Sequence, residues 1–229
     1  MRSIQMEENM VHCPYCNNTL DKIPNAKSKC PFCKQFIFVL TDPDLKKKVH
    51  VTKTQADEIR KKWSERSEIN YYVKYFSQFG ITNEIFLAKK QLLSEEKGTE
   101  VENSEVLEQI FHRLVYTSKD FHELKMLYFS MALIKYQNGE DFFNLLQESM
   151  RFELLKKGES KLIKKVKIHA IGCEHCKEND GKIYTIEDAL KTMPIPNPEC
   201  THEKKEGRGW CRCFYIAEIE GLKHKSGVL

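Results

Sequence analysis

The chain has 229 residues, 41% hydrophobic and 31% charged, with a formal net charge of +4. That is enough apolar content for at least one real core, and the length allows one large domain or two to three small ones. The longest nearly apolar stretch, 126–134, is broken by Ser130 and falls far short of the roughly 20 residues a membrane span needs. The opening segment MRSIQMEENM is acidic and has no apolar centre, so it does not read as a secretory signal. A chain that is not exported keeps its thiols reduced, so a cytoplasmic location is expected.

Nine cysteines stand in two groups, with none between Cys33 and Cys173. The first group is Cys13-Pro14-Tyr15-Cys16 and Cys30-Pro31-Phe32-Cys33. Paired cysteines at this spacing suit a tetrahedral zinc ion, because both sulfurs of one turn reach the same metal. Proline fixes φ at the second position of each turn and leaves no N–H unsatisfied. Asn17 follows the first pair, where a left-handed residue is often required. Residues 11–40 therefore read as a zinc ribbon with Cys13, Cys16, Cys30 and Cys33 as ligands, and QFIFVL at 35–40 as a strand. So small a unit depends on its metal for folding. The alternative, a thioredoxin-type redox pair, is disfavoured by the presence of two pairs and by the lack of a βαβ pattern. Asp42-Pro43-Asp44 with Lys46, Lys47 and Lys48 reads as a linker that closes a ribbon domain at 1–45.

Helical periodicity then takes over. Thr52 or Thr54 can cap a segment through Trp63, with Gln55 or Asp57 as the box partner. A second segment covers 66–79, and a third runs over 84–93 from Thr82. Residues 95–103 are polar, contain Gly98, and read as a loop. Ser104 opens a helix with Val106, Leu107, Ile110, Leu114 and Val115 on one face. Ser118 opens another, ended by Asn138-Gly139, which is apolar over most of its circumference and reads as the central buried helix. Residues 140–157 form the last long helix, acidic at its start and basic at its end, as the helix dipole favours. The region 52–157 is thus expected to be an all-α domain. His112 and His122 fall within its pattern and read as ordinary helical residues.

From about Lys161 the pattern changes to a small α/β module, 161–229. Val166, Ile168 and Ala170 alternate with polar residues as a strand. Cys173 and Cys176 follow, then a tight turn at Asn179-Asp180-Gly181-Lys182 and a return strand at 183–185. Thr185 and Asp188 can cap a short helix. A proline-rich loop at 193–198 leads to Cys200, His202, Cys211 and Cys213, and 214–219 reads as a final strand. Cys173, Cys176, Cys200, Cys211, Cys213 and His202 compete for four positions on a second zinc ion. Cys173 and Cys176 head that set. Cys211 and Cys213 point to opposite sides of an extended strand unless the chain bends, which favours one of them with Cys200 or His202.

The order Cys-x2-Cys, Asp-Gly-Lys, proline-rich loop, Cys-Arg-Cys and strand resembles the C-terminal domain of the phage Mu F-like head-morphogenesis (minor capsid) proteins, over about 165–219. In that family the ending is His-Pro-x-Cys-Arg-Cys, where this chain has Gly209-Trp210 before Cys211 and an added Cys200-Thr201-His202. The resemblance implies that Cys211 and Cys213 both bind the metal, and that the protein is phage- or mobile-element-related and virion-associated.

The fold expected is therefore multidomain α+β: a zinc ribbon, a central all-α domain and a Cys-rich α/β zinc module. Charge is uneven. Residues 1–62 hold 12 Lys/Arg and 7 Asp/Glu (+5), 63–155 hold 10 and 15 (−5), and 156–229 hold 15 and 11 (+4). A tetrathiolate zinc site carries about −2, so two such sites offset most of the basic excess. Three functions compete. A non-enzymatic adaptor or assembly protein would use two filled structural zinc sites and bind a protein partner. A nucleic-acid binder would set Lys22, Lys27, Lys29, Lys34 and the lysines at 46–48 against phosphates, with Tyr15 and Phe32 stacking, unless those rings fill the ribbon's own core. A metal-dependent nuclease would need His169, His175 or His202 beside an open metal position. The first is favoured, and no catalytic residue is assigned.

Overall fold

The computed structural model describes residues 11–204 and 209–219, so the opening segment MRSIQMEENM lies outside it. Among the described residues are seven α-helices and two small antiparallel sheets. The chain divides into two compact units, Met1–Tyr71 and Tyr72–Leu229. The sequence pattern drew three regions with boundaries at 45/52 and 157/161, so the observed division falls elsewhere, inside the first helix.

Unit 1 contains β1 (Ser28–Lys29), β2 (Phe36–Asp42), β3 (Lys47–Val51) and most of α1 (Lys53–Phe76). The strands are ordered β1-β2-β3, with Lys29 opposite Phe36 and Phe38 opposite Val51. The period-2 pattern of β2 serves two clusters. Ile37 packs with Leu20 around Cys13 and Cys30, while Phe38 and Leu40 lie against Val51, Ala56 and Ile59.

The segment read as a linker is instead a hairpin turn followed by a strand. Asp42 Oδ1 accepts from the Asp44 and Leu45 amides at 2.8 and 2.9 Å, and Lys46 takes the left-handed conformation at φ 54°. An Asp side chain that folds back on its own turn substitutes for backbone bonding, and the alternation in KKVHV then continues the sheet to Val51.

The two helical segments expected on either side of 63–66 are one helix, α1. No Gly or Pro interrupts 53–79, so nothing in the chain breaks it. Its N-terminus carries the expected box: the Gln55 amide donates to Thr52 Oγ1 at 3.3 Å and the Thr52 amide to Gln55 Oε1 at 3.0 Å. The Trp63 indole N–H donates to the Thr41 carbonyl at 2.8 Å, and Arg66 pairs with Asp44, so the region of the expected break is pinned to the hairpin.

Unit 2 continues with α2 (Asn83–Lys97), α3 (Asn103–Thr117), α4 (Phe121–Gln137) and α5 (Phe143–Gly158). Thr82 caps α2 as expected, accepting from the Ile85 amide. The polar stretch expected as a loop from residue 95 is helical to Lys97, and Gly98 ends it at φ 68°. The cap of helix α4 lies two residues past Ser118, at Asp120, which accepts from the Glu123 amide at 3.0 Å. Leu127, Met131, Ala132 and Ile134 of α4 are buried. Ser149 of α5, also buried, donates to the Lys125 carbonyl at 3.0 Å, and Lys125 pairs with Glu153 at 2.8 Å.

The chain then forms β4 (Lys165–His169), α6 (Glu174–Lys177), β5 (Ile183–Thr185), α7 (Ile186–Thr192) and β6 (Phe214–Glu218). The sheet order is β5-β4-β6, with Lys165 opposite both Thr185 and Glu218. Val166 and Ile168 point inward and Lys165, Lys167 and His169 outward, as the alternation predicts. This module shares one apolar core with α4 and α5. Leu146, Met150 and Leu154 pack with Val166, Ile168, Ile195 and Tyr215. The helical region and the Cys-rich module are therefore continuous through their core.

Candidate metal centres

In unit 1 the two Cys-Pro-x-Cys turns are built alike. Asn17 and Lys34, each one residue past a pair, adopt left-handed φ values of 59° and 61°. Their amides donate to the Cys13 and Cys30 carbonyls at 2.9 and 3.1 Å. The sequence singled out Asn17 for this conformation but not Lys34, because lysine carries no such signal. The result brings all four sulfurs together, with Cys13–Cys33 at 3.7 Å and Cys16–Cys30 at 3.8 Å. Four thiolates at about 2.3 Å from a tetrahedral ion stand about 3.8 Å from one another, so the quartet could hold a metal ion without rearrangement.

Backbone and amide donors converge on these sulfurs. For Cys16, an N–H donor at Asn18 is the main influence lowering the thiol from its ordinary value. Burial pushes Cys30 up, but the Cys33 and Phe32 amides outweigh it and bring it to about 7. Cys33 receives the Gln35 amide, yet burial and three neighbouring thiols together raise it to about 12. Without an ion, crowded sulfurs cannot all ionise, so some give up protons while others keep theirs. A divalent ion would take all four as thiolates.

The C-terminal cluster is assembled from four places. Cys173 stands just before α6 and Cys176 within it, Cys200 follows the proline-rich loop, and Cys211 and Cys213 precede β6. The sulfurs form two overlapping triplets, Cys173–Cys176–Cys200 and Cys176–Cys211–Cys213, which share Cys176. Within them Cys173–Cys176 is 3.5 Å, Cys173–Cys200 3.7 Å and Cys176–Cys211 3.9 Å, again close to a tetrahedral edge. All five thiols are at least partly buried, and both Cys211 and Cys213 join the cluster. The extended-strand objection to that pair does not apply, because neither residue is in the strand: β6 begins at Phe214.

Burial pushes Cys173 up, but the Thr201 amide and neighbouring thiols bring it to about 6. Contact with Cys213 lowers Cys211 to about 5, despite burial and with help from the Asn197 amide. Burial raises Cys200 to about 11 against the His202 amide, and contact with Cys211 pushes Cys213 up.

His202 stands outside both triplets. Its ring lies on Gly172, where an added Cβ would come within 2.9 Å of Nδ1. Its Nε2 is buried without a hydrogen bond, 3.7 Å from Glu203 Oε1.

Gly209 and Trp210 position the last two cysteines, a role the sequence reading did not assign them. A Cβ on Gly209 would lie 2.3 Å from the Cys200 carbonyl oxygen, and its amide donates to that oxygen at 3.0 Å. Trp210 is buried among Phe129, Tyr136 and Phe142, with ring centroids 5.4, 5.2 and 5.5 Å away. A glycine that lets two backbones touch and a tryptophan locked against helix α4 and the residue that caps α5 thus set Cys211 beside Cys176. The sequence signal was present in the Gly-Trp pair, but it took the positions of those three aromatic rings to give it meaning.

His169 lies 3.8 Å from Asp180, and His175 lies 3.7 Å from Glu199, both at the surface. Neither histidine joins a thiol group. Among the described residues no helix is long and apolar enough to cross a membrane. No protein-family model, curated protein or solved structure matches the chain.

Proposed function

We propose that this is a non-enzymatic zinc-binding adaptor or assembly protein of phage or mobile-element type, in which two zinc ions hold small binding surfaces in shape. The observation that carries the reading is that every candidate metal group among the described residues is made of thiols alone. Soft thiolates in tetrahedral array favour zinc over the harder divalent ions. Four of them fill its coordination sphere, whereas a catalytic zinc keeps a position for water or substrate. The first ion takes Cys13, Cys16, Cys30 and Cys33. The second takes Cys173, Cys176, Cys200 and Cys211, chosen on the Cys173–Cys176, Cys173–Cys200 and Cys176–Cys211 separations of 3.5, 3.7 and 3.9 Å, and leaves Cys213 of the second triplet as the spare thiol. The phage-type part of the reading rests on the resemblance of 165–219 to the Mu F-like head-morphogenesis domain, with Asp180-Gly181-Lys182 following the helix that carries Cys176.

A nuclease assay on the zinc-loaded chain with added Mg²⁺ or Mn²⁺ tests the non-enzymatic part. No cleavage of DNA or RNA is expected. Cleavage that disappears in His202→Ala would overturn it.

A further inference from the structure

We propose that unit 1 binds single-stranded nucleic acid on a face made by Phe36, Lys27 and Lys29. From residue 22 to residue 41 the chain has four lysines and no acidic residue. Lys29 is opposite Phe36 in the β1–β2 pair. The Lys27 and Lys29 ammoniums stand 4.6 and 5.2 Å from the centre of the Phe36 ring. That ring is 44% exposed, on the opposite side of β2 from Ile37, which packs at the cysteines. Among the described residues Lys22, Lys27 and Lys29 have no ion-pair partner, unlike Lys62 and Arg66 of the same unit, which pair with Asp44.

An aromatic ring flanked by two unpaired ammoniums is the pairing that holds a single strand: a base stacks on the ring and its neighbouring phosphates meet the cations. The contacts of Lys27 and Lys29 with the ring are weak at an exposed site, so a base can displace an ammonium from the ring while that ammonium moves to a phosphate. A duplex keeps its bases stacked on one another and cannot use the ring. An acidic peptide would use the lysines but has no need of it. Of the two rings expected to stack, Tyr15 has another task, since its hydroxyl accepts from the Lys53 amide at 2.7 Å. Phe32 is exposed and outside the ribbon's apolar cluster.

The test is fluorescence anisotropy on the zinc-loaded full chain. The probes are labelled oligo-dT and oligo-U of about 15 nucleotides, a hairpin duplex and a polyglutamate peptide. The proposal expects binding to a single strand, with DNA and RNA told apart by the first two probes. Affinity should fall with a log–log salt slope of about −1.4, as two lysines would give. Phe36→Ala should weaken it about tenfold and Phe36→Trp should restore it, with metal content unchanged in both. Phe36→Leu keeps the apolar cover if the alanine variant fails to fold, and it should show the same loss. Absence of binding to both oligonucleotides, equal or tighter binding of the duplex or the polyglutamate, or unchanged affinity in Phe36→Leu would overturn it.

Discussion

Around the unit 1 sulfurs, the buried side chains other than cysteine are Leu20 and Ile37. The C-terminal sulfurs border a core that includes Leu146, Leu154, Val166, Ile168, Ile195, Trp210 and Tyr215. Equivalent chemistry thus sits in unequal surroundings. A cluster with two apolar companions cannot offset the entropy of ordering its own loops, so in the ribbon the proposed ion supplies the folding energy. In the C-terminal module apolar burial carries the fold, and the proposed ion would fix the loops that hold Cys200 and Cys211.

The comparison breaks most visibly at the ribbon. Cys30→Ser should remove one of two zinc ions and unfold the ribbon, because structural zinc supplies about 10 kcal/mol or more in such modules. Amide NMR would show ribbon resonances collapsing while those of unit 2 stay dispersed. A ribbon that stays folded would contradict the inequality.

Next comes the spare thiol. Cys211→Ser should leave one zinc per chain at micromolar free zinc, whereas Cys213→Ser should keep two, as measured by metal analysis after dialysis. The reverse pattern would exchange the roles of the two cysteines.

Leu154→Ala, at a fully buried position of the shared core, should cost about 2–5 kcal/mol in unit 2. A lowered denaturant midpoint with both ions retained is the expected outcome. Loss of the second ion with no change in midpoint would mean that the metal, not the apolar core, holds that module.

The smallest effect is electrostatic. The Glu123 amide, with Lys156 at 3.0 Å, holds the Asp120 carboxyl below its ordinary value. A lowered folded-state value adds stability above the unfolded pKa, and that stability is lost as pH falls through the folded one. Asn retains the cap but not the charge. Asp120→Asn should therefore lower the midpoint slightly at neutral pH, and the difference should shrink below about pH 4. A difference of equal size in acid would assign the effect to the cap.

The sequence made the first cluster legible because local spacing alone places its ligands: Cys13, Cys16, Cys30 and Cys33 each sit in a turn that closes on itself. It also placed β4 and the caps at Thr82 and Thr185, and offered Thr52 beside Thr54 for the first helix, all of them local effects. It did not reveal that α1 is continuous, since the pattern ends one segment at Trp63 and starts the next at 66, and the bonds of Trp63 and Arg66 to the hairpin are not visible in the sequence. It missed the hairpin because Asp42-Pro43-Asp44 resembles a linker when the side-chain bonds of Asp42 are unseen. The role of Trp210 depends on Phe129, Tyr136 and Phe142, which lie more than sixty residues away in the chain, and no local pattern reports such a contact. The lysine-flanked face of Phe36 was hidden for the same reason, because Lys29 meets it only across a strand pair.

The central claim is that each thiol cluster holds one zinc ion, and native mass spectrometry of the chain purified under reducing conditions tests it most directly. Two zinc ions per chain, with every cysteine retained as thiol or thiolate, is the predicted result. A single ion, a different metal, or a mass lowered by disulfide formation would contradict it.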